Sequence, residues 1–364
     1  MMKYVVLLFI LVVVMSVKIV LISKKCDEKR KNRKINSQEE IVDTSKAEYT
    51  YDEMCEDLKL LSRKYKEKIK VDIIGTTYDD RNIYEIVFGK ESSSYHILIH
   101  AGIHGCEYMN SMLLMKQLEY YLRSYKNGSY KGIPYSDLFQ DIVFHIVPMA
   151  NPDGITISQL GTEGIRNTKL KKIIMKCYEE DLNDGNTNEG FEDYLKKWKA
   201  NAHGVDLNRN FNASWDALDQ TYHPSFRYYK GKSYESEPET RAIVKLTLEN
   251  DFIGTVSYHS SGSIIYWDYK DNLKKDGCSS MADIAAEITG YEKAASDIDY
   301  SEVVAGGYKD WVTSKEDKPV SSITIETGQG ECPLDIEEFN ELWKSNRDIW
   351  AAYAFLLLKS GDFK

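Results

Sequence analysis

Apolar and polar positions divide the chain into three stretches. Tyr4 to Val17 is apolar apart from Ser16, and after Lys18 the run Ile19-Val20-Leu21-Ile22 extends it to about the twenty residues that span a bilayer. Residues 24–48 are charged, carry no aromatic side chain and show no sustained apolar period, which reads as a tether. From Tyr49 onward the pattern becomes regular. Tyr51 to Tyr65 places apolar residues at helical intervals, and Lys70 to Ile74 with Ile83 to Phe88 alternate as two strands around the turn Asp79-Asp80-Arg81-Asn82. Short apolar strands at His96–Ile99, Ile142–Val147, Ile253–Tyr258 and Ser322–Ile325 then alternate with helix-like segments. This alternation predicts an α/β fold, a central mixed sheet flanked by helices. Residues 161–203 are polar and read as a long surface excursion with one helix near Phe191 to Lys199. The expected organisation is a membrane segment over 1–23, a tether over 24–48 and one catalytic domain over 49–358.

The exit of the first segment, Leu21-Ile22-Ser23-Lys24-Lys25, lacks the small residues of a cleavage site, so an uncleaved signal anchor is preferred to a secreted form. Only Lys3 precedes the segment, whereas Lys24, Lys25, Lys29, Arg30, Lys31, Arg33 and Lys34 follow it, a bias that would retain the body inside. Long domains translocate largely regardless of flanking charge, and the substrate class reached below lies outside the cytoplasm. The domain is therefore expected to face outward. With 42% apolar residues the 364-residue chain can bury a large core, and its net charge of −10 argues against a nucleic-acid partner. Cys26, Cys55, Cys106, Cys177, Cys278 and Cys332 show no CxxC or repeated spacing, so they indicate neither a zinc ribbon nor a compact disulfide framework.

Candidate chemistry gathers at strand ends. His104 and Glu107 sit where a strand turns into a helix marked by Met112, Met115, Leu118 and Leu122. An imidazole and a carboxylate both suit zinc, and a catalytic zinc site needs three protein ligands with one position left open. His259, ending the strand that leads into Ser260-Ser261-Gly262, is the best third candidate; Glu326 ends another strand. The carboxyl ends of strands are where α/β sheets place their sites. Asn151-Pro152-Asp153-Gly154 and Gly204 to Phe211 have the composition of ordinary turns.

Taken in order, His-x-x-Glu, Asn-Pro-Asp-Gly, Val-Asp-x-Asn-Arg-Asn-Phe, Tyr-His-Ser-Ser-Gly and Thr-Ile-Glu-Thr-Gly resemble the zinc carboxypeptidase family, over about Tyr49 to Tyr353. The resemblance implies one zinc ion held by His104, Glu107 and His259, with Glu326 as the general base that accepts a proton from the attacking water. It implies that Arg166, fifteen positions after Asn151, stabilises the oxyanion, and that Asn208 and Arg209 hold the substrate's terminal carboxylate.

Two departures from the family pattern stand out. Aligning Gly306-Gly307 on the family's Gly-Gly puts Glu302 where a tyrosine closes over substrate, leaving Tyr300, Tyr308 or no residue as the substitute. The same alignment puts Lys309 at the base of the specificity pocket, where it disfavours a large apolar or basic side chain. Cys106, between the two ligands, stands where many relatives carry a basic residue; a small protonated thiol is the expected state, with a thiolate redox handle as the alternative. The wording of the motifs is most similar to the bacterial branch, which includes γ-D-glutamyl-diamino acid peptidases. A peptidoglycan stem peptide is thus the expected substrate, its second carboxylate paired with Lys309. The alternatives are a general carboxypeptidase for acidic or polar C-termini, and a non-catalytic zinc or peptidoglycan-binding module.

Overall fold

In the computed structural model, residues 40–218, 221–294 and 306–363 are described. The expected membrane segment, most of the expected tether, and Tyr300 and Glu302 lie outside them. Among the described residues no helix is long and apolar enough to cross a membrane. The compact unit that carries the sheet begins at Val42, ahead of the boundary expected at Tyr49. Val42 is buried, and its N–H donates to Glu119 Oε2 at 3.0 Å. At the other end Phe363 is buried against Tyr353, beyond the expected limit at 358.

Eight strands form one mixed sheet: β1 (Ile69–Thr76), β2 (Asn82–Phe88), β3 (Tyr95–Ala101), β4 (Ile142–Val147), β5 (Phe252–Ser260), β6 (Ile264–Tyr266), β7 (Glu292–Lys293) and β8 (Ser321–Thr327). Their spatial order is β1-β2-β4-β3-β5-β8-β6-β7. The four central strands, β4, β3, β5 and β8, are mutually parallel; the β1–β2 hairpin joins antiparallel at one edge, and β6 pairs antiparallel with β8 at the other. Parallel strands covered on both faces read as near-continuous apolar runs, which is how Ile142-Val143-Phe144-His145-Ile146-Val147 announced itself.

The labelled helices are α1 (Tyr51–Lys64), α2 (Met109–Ser124), α3 (Pro152–Leu160), α4 (Thr168–Asn183), α5 (Phe191–Lys196), α6 (Pro238–Glu249), α7 (Lys275–Thr289), α8 (Tyr308–Ser314), α9 (Phe339–Asn346) and α10 (Ile349–Ser360). A capping box starts α1: Glu53 N–H donates to Thr50 Oγ1, and Thr50 N–H donates to the Glu53 carboxylate. One core cluster packs Leu98 and Val147 of the sheet against Ala242, Ile243 and Leu246 of α6 and Trp311 and Val312 of α8. On the other face Phe144 stacks on Trp350 of α10, which stacks on Tyr121 of α2.

The excursion after α3 differs from its expectation. It contains two helices, and it builds a core of its own from Leu170, Ile174 and Cys177 of α4, Tyr194 and Leu195 of α5, and Trp198. Asp181, fully buried on α4, accepts from Tyr194 Oη at 2.6 Å and Ser225 Oγ at 2.8 Å. The buried positions 170, 174, 177 and 181 keep helical spacing, but lysines and glutamates surround them and mask the period.

Neighbouring residues on α4 separate the two views of this segment. Ile174→Ala is expected to cost about 2–5 kcal/mol in denaturant unfolding. Met175→Ala, at a side chain 40% exposed, is expected to stay within about 0.5 kcal/mol of the parent. Equal, small effects at both would return the segment to the surface.

Candidate active site

The site begins with a close approach of two backbones. After β3 the chain turns through Gly102, Ile103, His104 and Gly105, while β4 leads into the Asn-Pro-Asp-Gly turn that starts α3. Asn151 N–H donates to the Gly102 carbonyl at 2.9 Å, and its side-chain amide donates to the carbonyls of Ile103 and Ala200, both at 3.0 Å. Asn151 Oδ1 also accepts from Gly154 N–H, capping α3. A Cβ on Gly105 would lie 2.4 Å from the Gly154 carbonyl oxygen, and one on Gly154 would lie 2.4 Å from that of Ala200. The turn motif therefore fixes the ligand-bearing turn, and only glycine permits the contact.

That contact aims His104 at the ends of the central strands. His104 Nδ1 lies 2.9 Å from Glu107 Oε1, and His259 Nδ1 lies 3.0 Å from Glu107 Oε2. All three residues are buried, and their ligand atoms fall within 4.8 Å of one another. Two imidazoles and a carboxylate converging on one point match the donor set of a catalytic zinc. The electrostatics agree. Burial alone would lower the pKa of His104, but Glu107 and Asp206 raise it to about 9, so the position favours positive charge. Burial opposes ionisation of Glu107 too, yet His104, Lys199 and His259 hold its carboxyl well below the usual range.

Glu326 reaches this group through strand register. It pairs with His259 across the parallel β5–β8 ladder, so both side chains leave the same face of the sheet. Burial pushes the Glu326 pKa upward; His259 opposes the shift and Glu107 reinforces it. Beneath them, buried Asn110 on α2 donates to Ser260 Oγ at 2.9 Å and accepts from Thr327 Oγ1 at 2.7 Å, clamping the strand ends together. Glu326 opens into a cavity of about 440 Å³ whose wall includes Lys199, Arg227, Tyr266, Cys106 and Cys332.

The remaining expected residues divide. Asn208 stands at the start of α8, where its Oδ1 accepts from Tyr308 N–H at 3.2 Å. Arg209 donates to the Asn208 carbonyl at 2.9 Å and lies over the Tyr228 ring. Tyr308 does not face substrate: it is buried between His100 and Phe211, and its hydroxyl meets Thr247 Oγ1 at 3.1 Å. Lys309 pairs with Asp310 at 2.5 Å and donates to the Asp268 carbonyl at 2.8 Å, so its charge is balanced outside the cavity wall. Arg166 is also directed elsewhere. Its guanidinium donates to the carbonyls of Asp79 and Asp80, and its N–H is held by the Asp79 carboxylate, which Arg81 and Asp153 fix in turn.

Two residues had no role assigned from the sequence. Asp206 accepts from His104 Nε2 at 3.1 Å and from Tyr228 N–H at 3.0 Å, fixing which ring nitrogen faces the other ligands. It lies two places before Asn208 in a quoted motif, which was the available signal. Lys199 places Nζ 3.1 Å from Glu107 Oε1, and no motif marked it.

Replacing Asp206 by asparagine is expected to weaken zinc about 10- to 100-fold in a competition titration, with the far-ultraviolet circular dichroism preserved. Unchanged affinity would show that the carboxylate does not orient His104.

Comparison with known proteins agrees with this geometry. The zinc carboxypeptidase family model matches residues 54–349. Gamma-D-glutamyl-L-diamino acid endopeptidase 1 of Lysinibacillus sphaericus is 29% identical over 312 residues, covering 85% of this chain and 72% of that protein. Mast cell carboxypeptidase A of Homo sapiens is 25% identical, covering 57% and 43%. Among solved structures, thrombin activatable fibrinolysis inhibitor superposes with a TM-score of 0.65 at 18% identity, covering 89% of this chain and 81% of the other. Carboxypeptidase A from Helicoverpa armigera gives 0.63 at 17%, covering 95% and 82%. The chain belongs to the zinc carboxypeptidase family and is a metallopeptidase, with His104, Glu107 and His259 as the candidate triad for the single catalytic zinc that the family uses.

Proposed function

We propose that this metallopeptidase hydrolyses a peptide bond next to a free carboxylate in peptidoglycan stem peptides of the γ-D-glutamyl-diamino acid type. The observation that carries the reading is the cavity in which Glu326, register-paired with His259, faces Lys199 and Arg227 beside the triad. The 29% likeness to an enzyme named for γ-D-glutamyl-L-diamino acid bonds supports the substrate class.

Bound by His104, Glu107 and His259, zinc supplies a Lewis acid for the scissile carbonyl and brings the pKa of water toward neutrality. Glu326 accepts the proton of the attacking water. It then returns that proton to the leaving amine. Asn208 and Arg209 hold the terminal carboxylate, with the guanidinium able to engage both oxygens. Tyr308 N–H fixes the Asn208 amide from behind, a supporting part in place of the contact with substrate expected of it. Lys197, Lys199 and Arg227 line the cavity and are the cations placed to meet substrate oxygens there, while Lys309 pairs with Asp310 and Arg166 donates to carbonyls of the β1–β2 turn.

The general carboxypeptidase reading, for acidic or polar protein C-termini, is supported by the fold's likeness to carboxypeptidase A. Hydrolysis of a γ-D-glutamyl-meso-diaminopimelate stem peptide and of ordinary peptides ending in Glu, Lys or Phe separates the two. Cleavage of the stem peptide is expected, abolished by a chelator, restored by zinc, and reduced at least about 100-fold in Glu326→Gln. Cleavage of C-terminal Glu with untouched stems would favour the runner-up. Zinc binding without any hydrolysis would identify a binding module.

We also place the domain outside the cytoplasmic membrane, anchored by residues 1–23, a reading supported by the apolar run and the wall substrate. Protease added to intact spheroplasts is expected to remove the domain from the membrane fraction. Protection until lysis would put it inside.

A further inference from the structure

Two thiols with no part in the acid–base chemistry share the wall of the catalytic cavity. Cys106 is fully buried in the turn between His104 and Glu107. Cys332 is half-buried in the loop that follows β8, six residues beyond Glu326. Their sulfurs lie within 4.8 Å of each other, and Cys332 Sγ is 3.4 Å from the Ser260 carbonyl oxygen. Cys55, Cys177 and Cys278 sit on α1, α4 and α7. A disulfide needs sulfurs at about 2.05 Å, so the pair must close from a separation within 4.8 Å. One partner is on a loop outside any helix or strand, which can supply that displacement.

We infer that Cys106 and Cys332 form a redox-active dithiol, which a low-molecular-weight disulfide converts into a cross-link between the metal-ligand turn and the loop after β8. Cys332, the more accessible sulfur, attacks one sulfur of the oxidant R–S–S–R, giving up its proton, and one RS–H leaves. Cys106 then attacks the Cys332 sulfur, displacing the second RS⁻. The protein loses two S–H protons and two electrons, and the oxidant leaves as two thiols. The same sulfurs with Glu107 form a possible soft-metal group, but Glu107 already serves the triad, so a second ion would compete for that carboxylate. A disulfide needs no shared ligand. Because it joins points 226 residues apart in the chain, it also restrains the unfolded ensemble strongly.

The test uses the full chain loaded with zinc, exposed to glutathione disulfide, alkylated, and digested without reductant for mass spectrometry. The expected product is one cross-linked peptide pair holding Cys106 and Cys332, lighter by two hydrogens than the separate peptides. It should carry no retained glutathione and be reversed by dithiothreitol. The oxidised protein should melt several degrees higher. Cys332→Ala, or Cys332→Ser if the alanine variant is not folded by circular dichroism, should lose both the cross-link and the shift. Three outcomes overturn the inference. They are a lasting glutathione adduct on Cys332 without closure, both thiols still alkylated after oxidant, and two zinc ions per reduced chain with the second lost in the Cys332 variant. Since the readouts are mass, melting and zinc content, failure of the substrate assignment would leave this test unaffected.

Discussion

The contact between Gly105 and Gly154 is the constraint on which the site depends. Two turns, one ending β3 and one following β4, approach until no side chain fits between them, and Asn151 fastens them through three carbonyls. His104 is thereby fixed with few rotatable bonds between it and the sheet. A Cβ at Gly105 would meet only backbone, chiefly the Gly154 carbonyl, and one at Gly154 would meet the Asn151 amide and the Ala200 carbonyl, so relief would require the turns to part. Parting them would move His104 relative to His259 and Glu326, which come from different strands.

Those other groups are placed by a second, more regular device. β3, β5 and β8 run parallel and adjacent, and their carboxyl ends deliver His104, His259 and Glu326 to one edge of the sheet. Register pairs His259 with Glu326 directly, while Ser257 below them bonds His100 at 2.9 Å and Asn110 ties the strand ends to α2. The buried polar groups around the site are mostly engaged with one another, as the low dielectric of a core demands. Regular strand pairing holds the ligands where they converge; it ends at Thr327, and Cys332 follows in a loop.

Much of this was legible in the sequence because it follows from periodicity and from ordered motifs. Strands buried on both faces appear as apolar runs, and His104, Glu107, His259 and Glu326 sit where those runs stop. Where side chains lie apart from their expected contacts the cause is common, which is that side-chain direction is decided by tertiary neighbours. Tyr308 follows two glycines and offers a polar tip, yet His100, Phe211 and Thr247 enclose it. Lys309 occupies the expected position but finds Asp310 next to it, and Arg166 finds the carbonyls of Asp79 and Asp80. α4 stayed hidden because its buried stripe contains an aspartate and a cysteine among lysines. Lys199 belongs to no motif at all; its proximity to Glu107 exists only once the excursion folds back against the ligand turn, where Gly105 N–H meets the Lys199 carbonyl at 3.1 Å.

That last contact joins the excursion to the candidate site. Trp198, fully buried in the excursion's own core, immediately precedes Lys199, so the packing that stabilises α4 and α5 also sets the position of a cation at the cavity. Arg227 is placed by the same cluster, its guanidinium 4.7 Å from the ring of Phe226, a core member, and 5.0 Å from that of Tyr228. A chain of net charge −10 thus presents three cations at this cavity, Lys197 and Lys199 from the excursion and Arg227 from the segment packed against its core. Under the proposed function, these cations would draw a carboxylate-rich substrate to the cavity of an otherwise acidic protein. Selectivity for such substrates would then reside less in the pocket-base residue named by alignment than in how firmly the second core holds Lys199 and Arg227 against the sheet.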